Sequence, residues 1–211
     1  FVAFEGDIAD DGVHDPEIFV YGGTSDVPDP VAFQVTLMGG GYTDGFSARH
    51  PDLAYVPSSG ELICVWDGNL GGGVPHAVYG QRALTDGTLT GPVLNLSLDT
   101  SPGSGPLREA IWPTIAIDPL TDEWFVAWQG DLDDGLTQND HEVWAARFND
   151  NGVAVVATAT ALSDMDPWLE PVAGAGKPAL AINTGFGSKL LAWSGDLNTT
   201  PGGEHEIFTQ A

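Results

Sequence analysis

The sequence predicts an all-β repeat fold, and three observations carry that prediction. A pair of apolar strands recurs three times along the 211 residues, with a truncated copy at the start. The aromatic residue closing the second strand of each pair falls at Phe4, Trp66, Trp128 and Trp193, spaced 62, 62 and 65 residues apart. No segment shows a helical apolar period with caps.

The pairs read in the same order each time. His50-Pro51-Asp52-Leu53-Ala54-Tyr55 leads into Glu61-Leu62-Ile63-Cys64-Val65-Trp66-Asp67-Gly68. Trp112-Pro113-Thr114-Ile115-Ala116-Ile117 leads into Glu123-Trp124-Phe125-Val126-Ala127-Trp128-Gln129-Gly130-Asp131. Lys177-Pro178-Ala179-Leu180-Ala181-Ile182 leads into Lys189-Leu190-Leu191-Ala192-Trp193-Ser194-Gly195-Asp196. The opening Phe1-Val2-Ala3-Phe4-Glu5-Gly6-Asp7 matches the second member alone.

After the aromatic comes a polar, Gly-rich loop and a third strand: Glu17-Ile18-Phe19-Val20, Ala77-Val78-Tyr79-Gly80, Glu142-Val143-Trp144-Ala145 or Glu206-Ile207-Phe208-Thr209. A fourth strand is expected at 31–37, 93–98 and 153–162. These runs are rich in β-branched and aromatic residues and bounded by Gly, Pro, Asn and Asp, which is a strand signature. Four strands per repeating unit describe blades of a β-propeller. An irregular β-sandwich is the alternative arrangement. The expected units are about 1–48, 49–110, 111–175 and 176–211 within a single repeat region, the first and last incomplete. The first unit lacks its innermost strand and the last its outermost, so the chain is expected to belong to a larger propeller or array, or to pair with another chain.

Within a blade, the Pro-x-(Leu/Ile)-Ala segment is the expected innermost strand, its small Ala suiting a crowded axis. The second strand is apolar on both faces, as packing between two blades requires. Trp66, Trp128 and Trp193 are therefore expected in the core between blades.

Bulk chemistry narrows the function. Thirty Asp and Glu oppose six Lys and Arg, a net charge of -24. That field repels nucleic acid and anionic membrane surfaces. No apolar run approaches a membrane span, and no direct membrane insertion is expected. One cysteine, Cys64, lies in an apolar run and reads as a buried inert thiol. It excludes a disulfide framework or a Cys-based zinc site within the chain.

The acidic loops after the second strand are the candidate sites. In the third unit the loop runs Asp131-Leu132-Asp133-Asp134-Gly135-Leu136-Thr137-Gln138-Asn139-Asp140-His141-Glu142. Calcium takes six to eight hard oxygen ligands, and a loop dense in Asp and Asn supplies them. Asp131, Asp133, Asn139 and Glu142 are the expected Ca²⁺ ligands. Asp7, Asp11 and Glu17 in the first unit, and Asp196, Asn198 and Glu206 in the fourth, mark similar sites. In the second unit Asn69 and Ala77 replace the acids, so a site there is expected to be weak or absent. Leu136 stands where an EF-hand needs Gly, and both flanks are strands. His14, His76, His141 and His205 precede the third strand and are expected to bond their own loops. His50 has no counterpart in the other units.

Familiar catalytic signatures are absent. There is no Gly-x-Ser-x-Gly elbow, phosphate-binding Gly-Lys-Ser loop or His-Glu-x-x-His. The Ser-x-Asp-x-Gly-x-Thr-Trp boxes of sialidase propellers are missing, and the four Arg (49, 82, 108, 147) are scattered. Acids for glycoside hydrolysis are abundant, but their separation is not legible in sequence.

The unit resembles repeats of large secreted bacterial surface proteins, in which Pro-Ala-Val-Ala, Tyr-Leu-Val-Val-Trp and Glu-Ile-Phe-Gly-Gln-Arg segments follow one another. Val78-Tyr79-Gly80-Gln81-Arg82 and Leu162-Ser163-Asp164-Met165 match that pattern here. The resemblance implies an extracellular or cell-surface location. It also implies an adhesive or structural module, and with the acidic loops the expectation is a non-catalytic, calcium-binding module for adhesion or for building a surface layer or filament. Expected partners are other β-structure completing the terminal blades, and surface glycans. The alternative function is a propeller-fold carbohydrate-active enzyme, a glycoside hydrolase or lyase.

Overall fold

The computed structural model describes residues 1–6, 16–22, 32–36, 46–70, 75–97, 107–132, 141–155, 159–163, 175–183, 185, 188–195 and 206–211. Among the described residues, fourteen strands form four antiparallel sheets of three, four, four and three strands. The first sheet is β1 (Val2–Gly6), β2 (Glu17–Tyr21) and β3 (Ala32–Gln34). The second is β4 (Phe46–Val56), β5 (Glu61–Leu70), β6 (Ala77–Leu84) and β7 (Leu89–Asn95). The third is β8 (Leu107–Ile117), β9 (Trp124–Leu132), β10 (His141–Phe148) and β11 (Thr160–Ala161). The fourth is β12 (Ala179–Ile182), β13 (Lys189–Gly195) and β14 (Glu206–Gln210). Each sheet is a meander in chain order, and the four-stranded sheets have the form of blades.

The second strand of each sheet is apolar on both faces because both are covered. Leu62, Cys64 and Trp66 pack toward the first sheet with Ile18, Val20 and Ala48. Ile63 and Val65, pointing the other way, join Ile115, Val126 and Trp128 of the third sheet. Ala127 and Val143 in turn meet Leu191 and Trp193 of the fourth. Trp66 and Trp128 are fully buried and Trp193 is 7% exposed, as a core role requires. Cys64 is buried and free, and burial pushes its thiol far above the usual range.

The inner strands differ from the sequence expectation. β4 and β8 are eleven residues long, and the Pro segment is only their second half. Each contains a register shift, between Arg49 and Asp52 and between Ile111 and Thr114. There His50-Pro51 and Trp112-Pro113 oppose the single residues Trp66 and Trp128. A bulge accommodates a proline that has no N–H for the ladder. His50 and Trp112 sit in the left-handed region at φ 49° and 51°. They are positional counterparts, so His50 does have an equivalent in another unit.

Neighbouring sheets are tied by a recurring bond. Ala48 N donates to Pro16 O at 2.8 Å, Ala110 N to His76 O at 2.9 Å, and Ala175 N to His141 O at 2.7 Å. Pro16, not His14, therefore occupies the place of His76 and His141. A second link runs from the inner strand of the second sheet to that of the third. Asp52 Oδ2 accepts from Thr114 Oγ1 at 2.8 Å and from Ile115 N at 2.9 Å.

Candidate functional site

Antiparallel register places the ends of β5 and β9 and the starts of β4, β6, β8 and β10 on one face, the face that carries the acidic loops. A chain of carboxylates and imidazoles gathers there. Asp67 follows Trp66 and is fully buried. Its Oδ1 lies 2.7 Å from His50 Nδ1 and accepts from Trp112 N at 2.9 Å. Its Oδ2 lies 3.0 Å from His76 Nδ1. The register explains the reach: Asp67 pairs with Arg49, beside the bulge, and the bulge turns His50 back toward it.

His50 is held from every side. Its N–H donates to Glu5 Oε1 at 2.6 Å. Its ring meets Trp112 edge-on at 5.5 Å between centroids. Its backbone sits in a region that costs a non-glycine residue of order 1–3 kcal/mol, the kind of strain that concentrates at functional sites. The side chain is 35% exposed, while Asp67 behind it is not exposed at all. A carboxylate that receives Nδ1–H fixes the tautomer and leaves Nε2 with a free lone pair. His76 is fixed in the same way, with Asn69 Nδ2 at 3.4 Å from its Nε2.

Glu109, two residues into β8, extends the chain of groups. Its Oε2 is 3.5 Å from His141 Nε2, and its side chain is 41% exposed. The His141 hydrogen bond, opposed by partial burial and aided by the charges of His141 and His76, holds its carboxyl below the usual range. The site thus offers an ionised, accessible carboxylate and an oriented, partly exposed imidazole, drawn from three consecutive sheets.

The expected calcium ligands are distributed differently. Asp7, Asp11, Asp133, Asn139, Asp196 and Asn198 lie outside the described residues. Glu17 accepts a hydrogen bond from Thr36 Oγ1, whose oxygen in turn accepts from Ile18 N at 2.8 Å. Glu142 accepts from Ser163 Oγ in the same arrangement, with Val143 N donating to Ser163 Oγ at 2.7 Å. In the second sheet Ser97 Oγ takes the Val78 N–H at 2.9 Å, and Ala77 stands at the carboxylate position. Asp131 is buried at the end of β9 opposite His141, and Glu206 opens β14 opposite Gly195. No cluster of three or more His, Cys, Asp or Glu with metal-binding arrangement occurs among the described residues.

Sequence reasoning missed Glu5, Asp67, Glu109 and Trp112, and set His50 aside. One signal was present: a polar residue follows the recurring aromatic in every unit, inside an otherwise apolar strand. A separate cavity of about 310 Å³ lies between the third and fourth sheets, lined by Phe125, Ala145, Leu162, Leu180, Leu191 and Lys189 among others. It is at the opposite ends of the strands from the acidic loops. Its flanking cations are engaged, Lys189 with Asp118 at 3.5 Å and Arg147 with Glu123 at 3.7 Å. We place no chemistry there.

No family model matches the chain, and no curated protein matches it in sequence. Solved structures share its fold. An α-L-arabinofuranosidase from Lactobacillus brevis superposes with a TM-score of 0.55 at 12% identity, over 99% of this chain and 67% of that one. An α-L-arabinanase from Penicillium chrysogenum, complexed with arabinobiose, gives 0.57 at 12% identity over 99% and 70%. A GH43 β-1,3-galactosidase gives 0.56 at 11% identity over 94% and 65%. The chain spans about two-thirds of the length of these structures. The expectation of a non-catalytic adhesive or structural module is corrected by this comparison, since these structures are glycoside hydrolases. The physical reason for the miss is that an antiparallel blade has the same strand pattern in adhesive and catalytic propellers, and the difference lies in a few polar residues at the strand ends.

Proposed function

We propose that this chain is part of a propeller-type glycoside hydrolase acting on a neutral glycan that contains arabinose or galactose. The observation that carries the reading is the buried Asp67, which orients His50 and His76 and anchors the Trp112 N–H, with the exposed carboxylate of Glu109 three residues earlier on β8. The fold shared with arabinan- and galactoside-cleaving enzymes supplies the substrate class. The charge of -24 favours a neutral glycan over the uronate polymers that lyases cleave, because like charge repels them.

In this reading His50 Nε2 takes a proton from a water molecule whose oxygen bonds to the anomeric carbon. The glycosidic C–O bond breaks, and the departing oxygen takes its proton from solvent. Glu109, kept ionised, stabilises the positive charge that builds on the sugar ring. Asp67 acts through the imidazoles and is a positioning residue. Incubation of the purified protein with arabinan, galactan and chromogenic arabinosides and galactosides tests the reading. Sugar release is expected, with loss in His50→Gln and Glu109→Gln variants that remain folded. Absence of release from every substrate would overturn it.

Three further properties belong to the same reading. The acidic loops bind calcium, an extracellular setting suits such loops, and other β-structure completes the terminal sheets. Support for the last comes from burial. Phe4 is 40% exposed where Trp66 and Trp128 are fully buried, and Ile207 is 72% exposed where Val78 and Val143 are fully buried. Side chains that the repeat designs for a core lie open at both ends of the array, ready to be covered.

A further inference from the structure

Three described residues other than glycine have left-handed backbone: His50 at φ 49°, Trp112 at 51° and Asp122 at 57°. Asp122 closes the β8–β9 turn, its N–H donating to Asp118 O at 2.8 Å, and a short polar side chain tolerates that geometry. His50 carries the imidazole proposed above as the base. Trp112 has the same place in the next sheet, and its side chain has no role in the account so far.

The fold gains little from an indole at this point. A bulky side chain is strained at positive φ, and the residue before a proline favours extended backbone. The bond to Asp67 uses the Trp112 N–H, which glycine would supply equally. Nor does the ring belong to the core. Trp66, Trp124, Trp128, Trp144 and Trp193 are at most 7% exposed, whereas Trp112 is part-exposed. Strain that the packing does not repay is the mark of a functional position. What the indole adjoins defines the ligand. Its ring meets the His50 ring at 5.5 Å between centroids, with the planes 74° apart. The His50 side chain is itself 35% exposed, so two adjoining rings both reach solvent.

We infer that the Trp112 indole is the platform on which a neutral sugar ring of the glycan stacks beside His50. This rests on the glycan reading above and deepens it, because it names a binding residue. The C–H groups of a sugar ring are apolar and carry slight positive charge, which suits the negative face of an indole. Stacking of this kind supplies affinity without a cation, as a neutral ligand of a chain with net charge -24 requires.

The test uses Trp112→Gly, which keeps the N–H for Asp67 and removes both ring and strain, and Trp112→Phe, which keeps an aromatic face. KM for the hydrolysed arabino- or galacto-oligosaccharide, its Kd by titration calorimetry, and tryptophan emission with and without saturating sugar are measured for each. In the glycine variant KM and Kd are expected to rise about tenfold, with kcat less affected. The Phe variant should stay within about threefold of wild type. Saturating sugar should shift the emission of the wild-type protein, and that shift should vanish in the Phe variant while it still binds. A folded glycine variant with KM and Kd unchanged would overturn the inference alone, and so would wild-type emission unmoved by saturating sugar. Should the glycine variant fail to fold, the emission comparison decides. If the wild-type protein neither binds nor cleaves any arabinose- or galactose-containing glycan, the functional reading fails first and this contact falls with it.

Discussion

Replacing Asp67 with Asn is the most informative single perturbation. The side chain is fully buried and accepts from three groups, His50 Nδ1, His76 Nδ1 and Trp112 N. Asn keeps one acceptor oxygen and turns the other atom into a donor. Trp112 N and His50 Nδ1 share Oδ1 and can both retain the oxygen, and His76 Nδ1 must then face an N–H₂ group. That imidazole either clashes donor against donor or moves its proton to Nε2. One unmet buried donor costs about 1–3 kcal/mol, which lowers the melting temperature by roughly 2–10 °C for a chain of this size. The reverse orientation would turn N–H₂ toward both Trp112 N and His50 Nδ1 and is disfavoured, so the proposed base keeps its partner and turnover is expected to hold. Thermal unfolding followed by circular dichroism and kcat on a chromogenic arabinoside or galactoside together make the assay. A variant that melts like wild type would refute the clamp, and a folded variant that loses turnover would overturn the orientation that leaves His50 its partner.

Other outcomes follow from the same geometry. Glu61 feels burial, which raises its pKa, but bonds from Arg82 and Thr90 outweigh it and bring the value down; Glu109 is lowered by His141. The unfolded chain therefore holds these protons more tightly, so the stabilisation is present above about pH 4.5 and is lost as pH falls through the lower folded values. Urea titrations from pH 6 to 3 check this, and Arg82→Gln should flatten the acid limb; an unchanged limb would remove Glu61 from the account. Calcium bound only by the folded acidic loops raises the melting temperature with ion concentration, and identical calorimetric scans in calcium and chelator would remove that proposal. With both terminal sheets open, the 211-residue chain is expected to self-associate in sedimentation at micromolar concentration; a compact monomer would count against completion by other β-structure.

The sequence by itself determined the strands and their phase. Local patterns set these: alternation, β-branched runs, Gly and Pro punctuation, and an aromatic recurring every 62–65 residues. Burial of Trp66, Trp128 and Trp193 was legible for the same reason, because an apolar run on both faces has no other place to go. What only the tertiary structure decided is the carboxylate–imidazole group. Glu5 and His50 are 45 residues apart, as are Asp67 and Trp112, and Glu109 and His141 are 32 apart. The first two pairs meet because a bulge at each X-Pro step turns a left-handed residue of one sheet toward the polar residue of the sheet before it. No local pattern encodes that meeting. The loop acids drew attention in the sequence because they are numerous. The fold placed its oriented imidazole instead against a single polar residue, Asp67, hidden inside an apolar strand, where packing between sheets fixes its partners.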